Sequence, residues 1–344
     1  MNDFNQYMQR CLELAAKGLG SVAPNPMVGC VIVHNNVIIG EGYHQKYGEA
    51  HAEVNAIASV VNKNLLAEST VYVNLEPCSH YGKTPPCSDL LIEHKIKRVV
   101  VACLDTNPLV AGKGIEKLRN AGIEVFTGVL EKEAYELNKR FFTYHEKKRP
   151  YIILKWAQTK DNFISKFPPF IREENWITNN ESKKLVHTWR AQEQAILVGT
   201  TTALLDNPAL TVRLTEGKSP IRILIDKELK VPFINPIFSN AAETIVITEK
   251  KEVSVNNVTY HQIDFTKEIT PQILNYLYDK KVTSVIIEGG RHTLQSFIDR
   301  GLWDEARIFT GNKYFQSGIK APVINKSKSN SQMIGDDELA VFTQ

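Results

Sequence analysis

Between His51 and Cys87 the chain carries side chains that have to meet at one point, and any fold it adopts must allow that. The stretch opens with His51-Ala52-Glu53 and closes with Pro77-Cys78-Ser79-His80-Tyr81-Gly82-Lys83-Thr84-Pro85-Pro86-Cys87. One imidazole and two thiolates make a good zinc site. Three protein ligands leave the fourth tetrahedral position to water, the mark of a catalytic rather than a structural zinc. Glu53 is then the natural proton carrier, because water on zinc has its pKa lowered to about 7 and a neighbouring carboxylate exchanges protons with it at neutral pH. A lone His or Cys is usually packing, and a free thiol behaves as a small buried hydrophobe. The completeness of this set argues for metal.

The spacing narrows the chemistry. H-x-E followed by P-C-x-x-C is the signature of zinc deaminases of nucleobases. Here the first half is intact and the second is stretched, with eight residues between Cys78 and Cys87. A helix is expected over 52–61. Residues i and i+2 point to different sides of a regular helix, so His51 and Glu53 share a site only if His51 lies at its very first turn. Cys87 is expected to open a helix over 88–94, where the helix N-terminus favours a thiolate.

At 344 residues the chain is long enough for two domains. Its net charge of +3 is too mild to imply nucleic acid and does not oppose a phosphorylated substrate. No apolar run is long enough to span a membrane, and the N-terminus does not read as a secretory leader. Of five cysteines, two are claimed for metal. Cys11, Cys30 and Cys103 sit in apolar surroundings and read as reduced core thiols, so a cytoplasmic protein is expected.

In chain order, a helical period covers 3–19. Val28 to Val33 reads as a strand, His34-Asn35-Asn36 as a turn and Val37 to Gly40 as its hairpin partner. Further strands are expected at 70–75, 99–103 and 122–126, with a helix over 113–121, an alternation that implies a layered α/β sheet. One charged helix is expected over 131–147. Pro150 then ends the pattern, and the domain boundary is placed at Lys147-Lys148-Arg149-Pro150, giving domains 1–147 and 148–344. The second half offers strands at 151–157, 195–199, 221–226, 244–248 and 284–288, a loop over 163–175, and helices over 180–194 and from Gly290 to Gly301. Two of its strands run into small-residue turns, Gly199-Thr200-Thr201-Thr202 and Gly289-Gly290, and then into helices. That geometry presents free backbone N–H groups to an anion. Neither turn is a G-x-G-x-x-G fingerprint, and ordinary structural turns use such glycines as often.

The sequence resembles the bifunctional riboflavin-biosynthesis deaminase/reductase family over nearly its whole length. The resemblance is carried by Pro24-Asn25-Pro26, Gly29-Cys30, Gly42-Tyr43-His44, His51-Ala52-Glu53, the run from Glu76 to Cys87 with its long insertion, and Asn107 to Gly114. In the second half it is carried by Trp176-Ile177-Thr178, Arg190, Val198 to Thr202, Asp206, Pro208, Leu210, Arg213 and Glu288-Gly289-Gly290. It implies an α/β protein: a cytidine-deaminase-like three-layer α/β/α domain followed by a dihydrofolate-reductase-like α/β domain that uses NADPH. The first domain would deaminate a phosphorylated pyrimidine and the second would reduce its ribose.

By the same resemblance, His51, Cys78 and Cys87 would hold zinc and Glu53 would carry protons. Asn25, His44, His80, Lys83 and Asn107 would contact the deaminase substrate, with Lys83 gripping its ribose phosphate. Trp176, Thr202, Asp206, Gly290, Arg291, His292, Thr293, Leu294, Gln295 and Ser296 would contact NADPH. Arg190, Leu210, Arg213 and Glu288 would contact the reductase substrate. The expected partner is a small phosphorylated pyrimidine, with no nucleic acid and no membrane, in a homo-oligomer. The match departs at Asn162, where the family usually has Gly, and at Glu174, where a small polar residue is usual; both put the local backbone or contact in doubt. Two other readings of the zinc motif stay open: a nucleic-acid deaminase with an accessory domain, opposed by the mild charge and the insertion, and an inactive zinc-stabilised binding protein, opposed by the spare carboxylate of Glu53.

Overall fold

Alternation of side chains on a central sheet determines the layering of the first half. The computed structural model describes residues 2–81, 85–107, 111–168 and 175–344. Within them the chain divides into two units, Met1–Lys148 and Arg149–Gln344. The first contains, in order, α1 (Asn2–Ala16), β1 (Gly29–His34), β2 (Val37–Tyr43), α2 (Ala52–Ser59), β3 (Thr70–Leu75), α3 (Cys87–Glu93), β4 (Arg98–Cys103), α4 (Lys113–Asn120), β5 (Glu124–Thr127), α5 (Glu131–Leu137) and α6 (Lys139–Lys147). The sheet order is β2-β1-β3-β4-β5. β1 is antiparallel to both its neighbours, and β3, β4 and β5 run parallel.

Successive strand residues face opposite sides of a sheet. Cys30, Ile32, Val71, Val73, Val99 and Val101 accordingly pack with Ala52, Ala56, Leu91, Ile115 and Leu118 from α2, α3 and α4. Their neighbours Val31, Val33, Tyr72 and Val100 pack on the other face with Met8, Cys11 and Phe142 from α1 and α6. A three-layer α/β/α unit results. The β1–β2 hairpin turns through Asn35 and Asn36, both at positive φ (48° and 61°), as a two-residue hairpin loop requires.

The single helix expected over 131–147 is two helices. Asn138 interrupts it with its side chain buried, its Oδ1 accepting the Met27 N–H at 2.8 Å and its Nδ2 donating to the Met27 carbonyl at 2.9 Å. A contact so distant in sequence overrides the local helical pattern.

The second unit comprises β6 (Tyr151–Thr159), β7 (Phe163–Ser165), α7 (Asn180–Gln192), β8 (Ala195–Gly199), α8 (Thr200–Leu205), β9 (Ile221–Ile225), β10 (Thr244–Thr248), β11 (Val258–Gln262), α9 (Ile269–Asp279), β12 (Ser284–Ile287), α10 (Arg291–Asp299), β13 (Glu305–Gly311), β14 (Ile319–Lys320), β15 (Asn330–Ile334) and β16 (Asp337–Thr343). Its main sheet is ordered β11-β10-β9-β8-β12-β6-β13-β16-β15, parallel as far as β13 and then antiparallel. Ile152, Leu154 and Trp156 of β6 face one core and Tyr151 and Ile153 the other.

Part of the loop expected over 163–175 is β7, which pairs antiparallel with β14; residues 169–174, Glu174 among them, lie outside those described. Asn162 adopts φ 64°, and its N–H donates to the Thr159 carbonyl at 2.9 Å. Asn is one of the few side chains that take this conformation readily, so it meets the backbone requirement where the family has Gly. Among the described residues, no helix is long and apolar enough to cross a membrane.

Each unit has apolar cores on both faces of its own sheet, the condition for independent folding. A chain ending at Lys148 is expected to unfold cooperatively and to keep its zinc content. Thermal unfolding followed by circular dichroism, with metal analysis, checks this; aggregation on loss of residues 149–344 would show that the first unit depends on the second.

Candidate functional sites

In the first unit, three element ends converge. His51 is the N-cap of α2 (φ −72°, ψ 164°), Cys87 is the first residue of α3, and Cys78 follows the end of β3. Nδ1 of His51 and the two sulfurs lie within 4.8 Å of one another. His51 Nδ1 is 3.2 Å from Cys87 Sγ and 3.6 Å from Cys78 Sγ. Ligands of one tetrahedral zinc stand roughly 3.5 Å apart or slightly more, so the donor set fits zinc in both chemistry and spacing. Glu53, buried in the first turn of α2, is the carboxylate beside it.

The electrostatics assign the charges. The Cys78 thiol is held down to about 4, chiefly by the hydrogen bond from the Cys87 thiol, with His51 and the Cys87 N–H (3.3 Å) adding to it. Cys87 is raised by the same contact and by burial. The backbone N–H of Cys87, at the start of α3, donates to Cys78 Sγ. Burial first, and then the charge on Cys78, push the Glu53 carboxyl up.

Asn25 and His44 join this site. His44 Nδ1 lies 3.0 Å from the Ala50 carbonyl and Nε2 lies 3.1 Å from Asn25 Nδ2. A carbonyl only accepts, so Nδ1 carries the proton and Nε2 accepts from the Asn25 amide. Burial pushes His44 down, consistent with a neutral ring. Its ring meets that of His51 edge-on, with centroids 5.6 Å apart. His80 is exposed, and Lys83 lies outside the described residues. Asn107 follows β4, the parallel neighbour of β3, and its N–H donates to Asp105 Oδ1 at 2.7 Å. Sequence reasoning passed over Asp105, a buried carboxyl raised to about 6 by burial, with the charge of Glu76 contributing.

The second unit holds a cavity of about 1220 Å³. It lies beyond the carboxyl ends of β6, β8 and β12, where parallel sheets characteristically bind ligands. The two small-residue turns face each other across it. A Cβ added at Gly199 would lie 3.0 Å from Thr293 Oγ1, and one at Gly290 would lie 3.3 Å from Thr202 Oγ1. Side chains there would fill the gap. Gly290, at the N-cap of α10, makes no side-chain cap, which leaves the first N–H groups of α10 for an anion. The cradle fits a dinucleotide.

Trp176, Thr202, Asp206, Gly290, Arg291, His292, Thr293, Gln295 and Ser296 all line the cavity. Leu294 does not: it is fully buried in the core, because it falls on the inner face of α10. Arg190, Arg213, Glu288 and Leu210 line the cavity as well, although Leu210, at φ 55°, buries its side chain in the core. The polar centre is Glu288, whose Oε1 accepts from Lys155 Nζ and Oε2 from Arg190 Nη2, each at 2.7 Å. Lys155 was not singled out from the sequence; its place in the apolar β6 run was the available signal. Burial opposes the Glu288 charge, yet Arg190 and Lys155 hold its carboxyl down to about 2. His187, lowered to about 4 by burial and then by Arg190 and Arg213, is neutral and accepts the Arg213 N–H at Nδ1 (3.1 Å).

Fold and sites together define a two-domain enzyme, a zinc deaminase unit joined to a nucleotide-dependent reductase unit. Residues 1–103 match the cytidine and deoxycytidylate deaminase zinc-binding region, and residues 150–315 match the RibD C-terminal domain. The chain is 46% identical to riboflavin biosynthesis protein RibD of Aquifex aeolicus, covering 91% of this chain and 88% of that one. It is 36% identical to RibD of Escherichia coli, covering 91% and 89%. The crystal structure of a diaminohydroxyphosphoribosylaminopyrimidine deaminase/5-amino-6-(5-phosphoribosylamino)uracil reductase from Thermotoga maritima aligns over 99% of both chains, with a TM-score of 0.90 and 38% identity. The chain belongs to the riboflavin-biosynthesis deaminase/reductase family, with a zinc-binding deaminase domain and an NADPH-dependent reductase domain.

Glu288 generates a pH prediction. Its folded value lies below the ordinary 4.5, so its contribution to stability is fully present above about 4.5 and is lost as the pH falls towards 2. Glu288→Gln, which leaves two partly buried cations without their counter-charge, is expected to cost about 3 kcal/mol at pH 7. Urea unfolding of both proteins should show that difference shrinking between pH 4.5 and pH 2.

Proposed function

We propose that the first unit hydrolyses the 2-amino group of 2,5-diamino-6-ribosylamino-4(3H)-pyrimidinone 5′-phosphate, and that the second reduces the ribosyl group of the product, 5-amino-6-(5-phosphoribosylamino)uracil, to ribityl. The observation that carries the reading is the His51, Cys78 and Cys87 cluster with the buried Glu53 beside it. The relative from Thermotoga maritima, described by these two activities and alike over its whole length, supports it.

Zinc, when bound by those three residues, supplies Lewis acidity that makes water nucleophilic at neutral pH. Glu53 takes a proton from the attacking water, gives it to the ring nitrogen beside C2, and later delivers a proton to the departing amine. Water is consumed and ammonia released. The pair of Asn25 and buried His44, fixed by the Ala50 carbonyl, orients the base, while His80, Lys83 and Asn107 take the rest of the substrate.

In the second unit NADPH supplies the hydride, and the protein supplies orientation and charge. The N–H groups at the start of α10, with Thr202, Asp206 and Trp176, hold the cofactor in this reading. Glu288 fixes Arg190 and Lys155 in place, and these with Arg213 present positive charge to a phosphorylated sugar. The enzyme is read as cytoplasmic, from its reduced core thiols. A homo-oligomer rests on family likeness, and sedimentation equilibrium tests it.

The direct test offers each substrate to purified protein. Ammonia release from the diaminopyrimidine and NADPH oxidation with the deaminated product are expected; failure of either removes that half of the assignment. Glu53→Gln should keep zinc and lose deamination by about a hundredfold or more, the usual scale of general acid–base catalysis. Cys78→Ser should lose the metal itself, since a hydroxyl replaces a thiolate. Full deamination by zinc-loaded Glu53→Gln would overturn the proton-carrier role.

A further inference from the structure

Glu76 stands between β3 and Cys78 and is buried, yet it is neither in the metal cluster nor among the candidate substrate contacts. Its carboxylate is occupied by backbone N–H groups. Oε2 accepts from Asp105 at 3.2 Å and Gly112 at 2.9 Å. Oε1 accepts from Gly114 at 2.8 Å and Ile115 at 3.3 Å. These four donors bracket the segment that carries Asn107. Asp105 extends the clamp, its Oδ1 accepting the Asn107 N–H at 2.7 Å, and the Asn107 carbonyl accepts the Ala111 N–H at 3.1 Å.

The other side of the clamp is the zinc-ligand segment. The Glu76 N–H donates to the Cys103 carbonyl at 3.0 Å and ties the ends of β3 and β4 together. Gly114 brings the start of α4 hard against the same segment, since a Cβ there would lie 2.1 Å from the Pro77 carbonyl oxygen. An ionised carboxylate accepting several N–H groups makes strong hydrogen bonds, and negative charge at the start of α4 is favoured by the helix dipole. What is fixed by these bonds is backbone, and that backbone carries Asn107.

We propose that Glu76 is a positioning residue for the deamination: it holds the Asn107 segment at a fixed distance from Cys78, so that Asn107 meets the substrate on which Glu53 acts. The proposal deepens the function given above and rests on Asn107 being a substrate contact. A merely structural Glu76 would change the amount of active enzyme, and hence the apparent kcat. A positioning Glu76 changes KM, because the contact it places is made equally in ground and transition states.

The test uses the full-length, zinc-loaded protein. Glu76→Gln sets an NH2 group against N–H donors and removes acceptor capacity. KM for the diaminopyrimidine should rise about tenfold, with kcat, zinc content and NADPH oxidation on the deaminated substrate little changed. Asn107→Ala should raise KM similarly, and the double variant should be no worse than Asn107→Ala alone, since both remove one contact. If Glu76→Gln does not fold, Glu76→Asp, which keeps the charge but shortens the reach, carries the same expectations. An unchanged KM in the Glu76 variant while Asn107→Ala raises it overturns the proposal alone. Fully multiplying effects in the double variant, or loss of zinc in step with activity, also overturn it. An unchanged KM in Asn107→Ala removes the substrate contact itself, and the proposal with it.

Discussion

Bringing one imidazole and two sulfurs within 4.8 Å of each other requires three segments to meet beyond the end of the central strand β3, and the first unit is arranged to permit it. Two of the ligands stand at helix starts, His51 before α2 and Cys87 at the head of α3, and the third leaves β3. Such an arrangement is available only if both helices pack on the same face of the strands that precede them, which the shared core of Ala52, Ala56, Leu91, Val71 and Val73 provides. The position of His51 also resolves the spacing problem of H-x-E. As an N-cap in extended conformation, His51 lies outside the helical repeat, so it and Glu53 need not diverge as regular i and i+2 positions do.

What could be read from the sequence follows the range of the interactions. The hairpin at Asn35 and Asn36, the helix start at Cys87 and the strand–turn–helix units at Gly199 and Gly290 are local, and local residue chemistry announced them. The break at Asn138 was hidden because its cause, the backbone of Met27, is remote in the chain. Residues beyond Gly301 gave no strand signal for a similar reason. β13 buries Glu305 and Arg307, paired at 2.6 Å, and β15 is a polar edge. β15 lacks the apolar alternation by which strands are recognised, and in β13 the buried charges mask it. The family motif named most candidate contacts but could not separate a residue's side chain from its position. Leu294 sits inside the run expected to contact the cofactor, and the helical period turns its side chain into the core.

Buried charge is not by itself a mark of a site, and the second unit separates two cases. Arg222 is fully buried, and burial lowers it to about 10. Its guanidinium donates to the Pro236, Ser239 and Ala242 carbonyls and to Ser239 Oγ, and among the described residues no carboxylate pairs with it. All these partners belong to one stretch of irregular backbone, so the arginine organises a loop whose carbonyls would otherwise be left unpaired. Lys155 and Arg190 are only partly buried, and they share the carboxylate of Glu288, all three lining the cavity. The net charge of that trio is positive, and it adjoins the cradle between Gly199 and Gly290.

A paired carboxylate in such a trio does more than neutralise. Removing a charge from water is costly, and an ion pair recovers that cost only when its geometry is fixed by further bonds. Each carboxylate oxygen of Glu288 takes one cation, which leaves the two cations separated by the carboxylate instead of collapsing onto a single oxygen. Without Glu288 the like charges of Lys155 and Arg190 would repel, and any anion binding there would have to order them. With it, two N–H donors stand in place before the ligand arrives, and the neutral His187, bonded to the Arg213 N–H, holds a third cation-bearing backbone beside them. Preorganised donors lower the cost of binding a charged ligand, and this gives a physical reason for an acidic carboxyl to lie between two cations in the wall of this cavity.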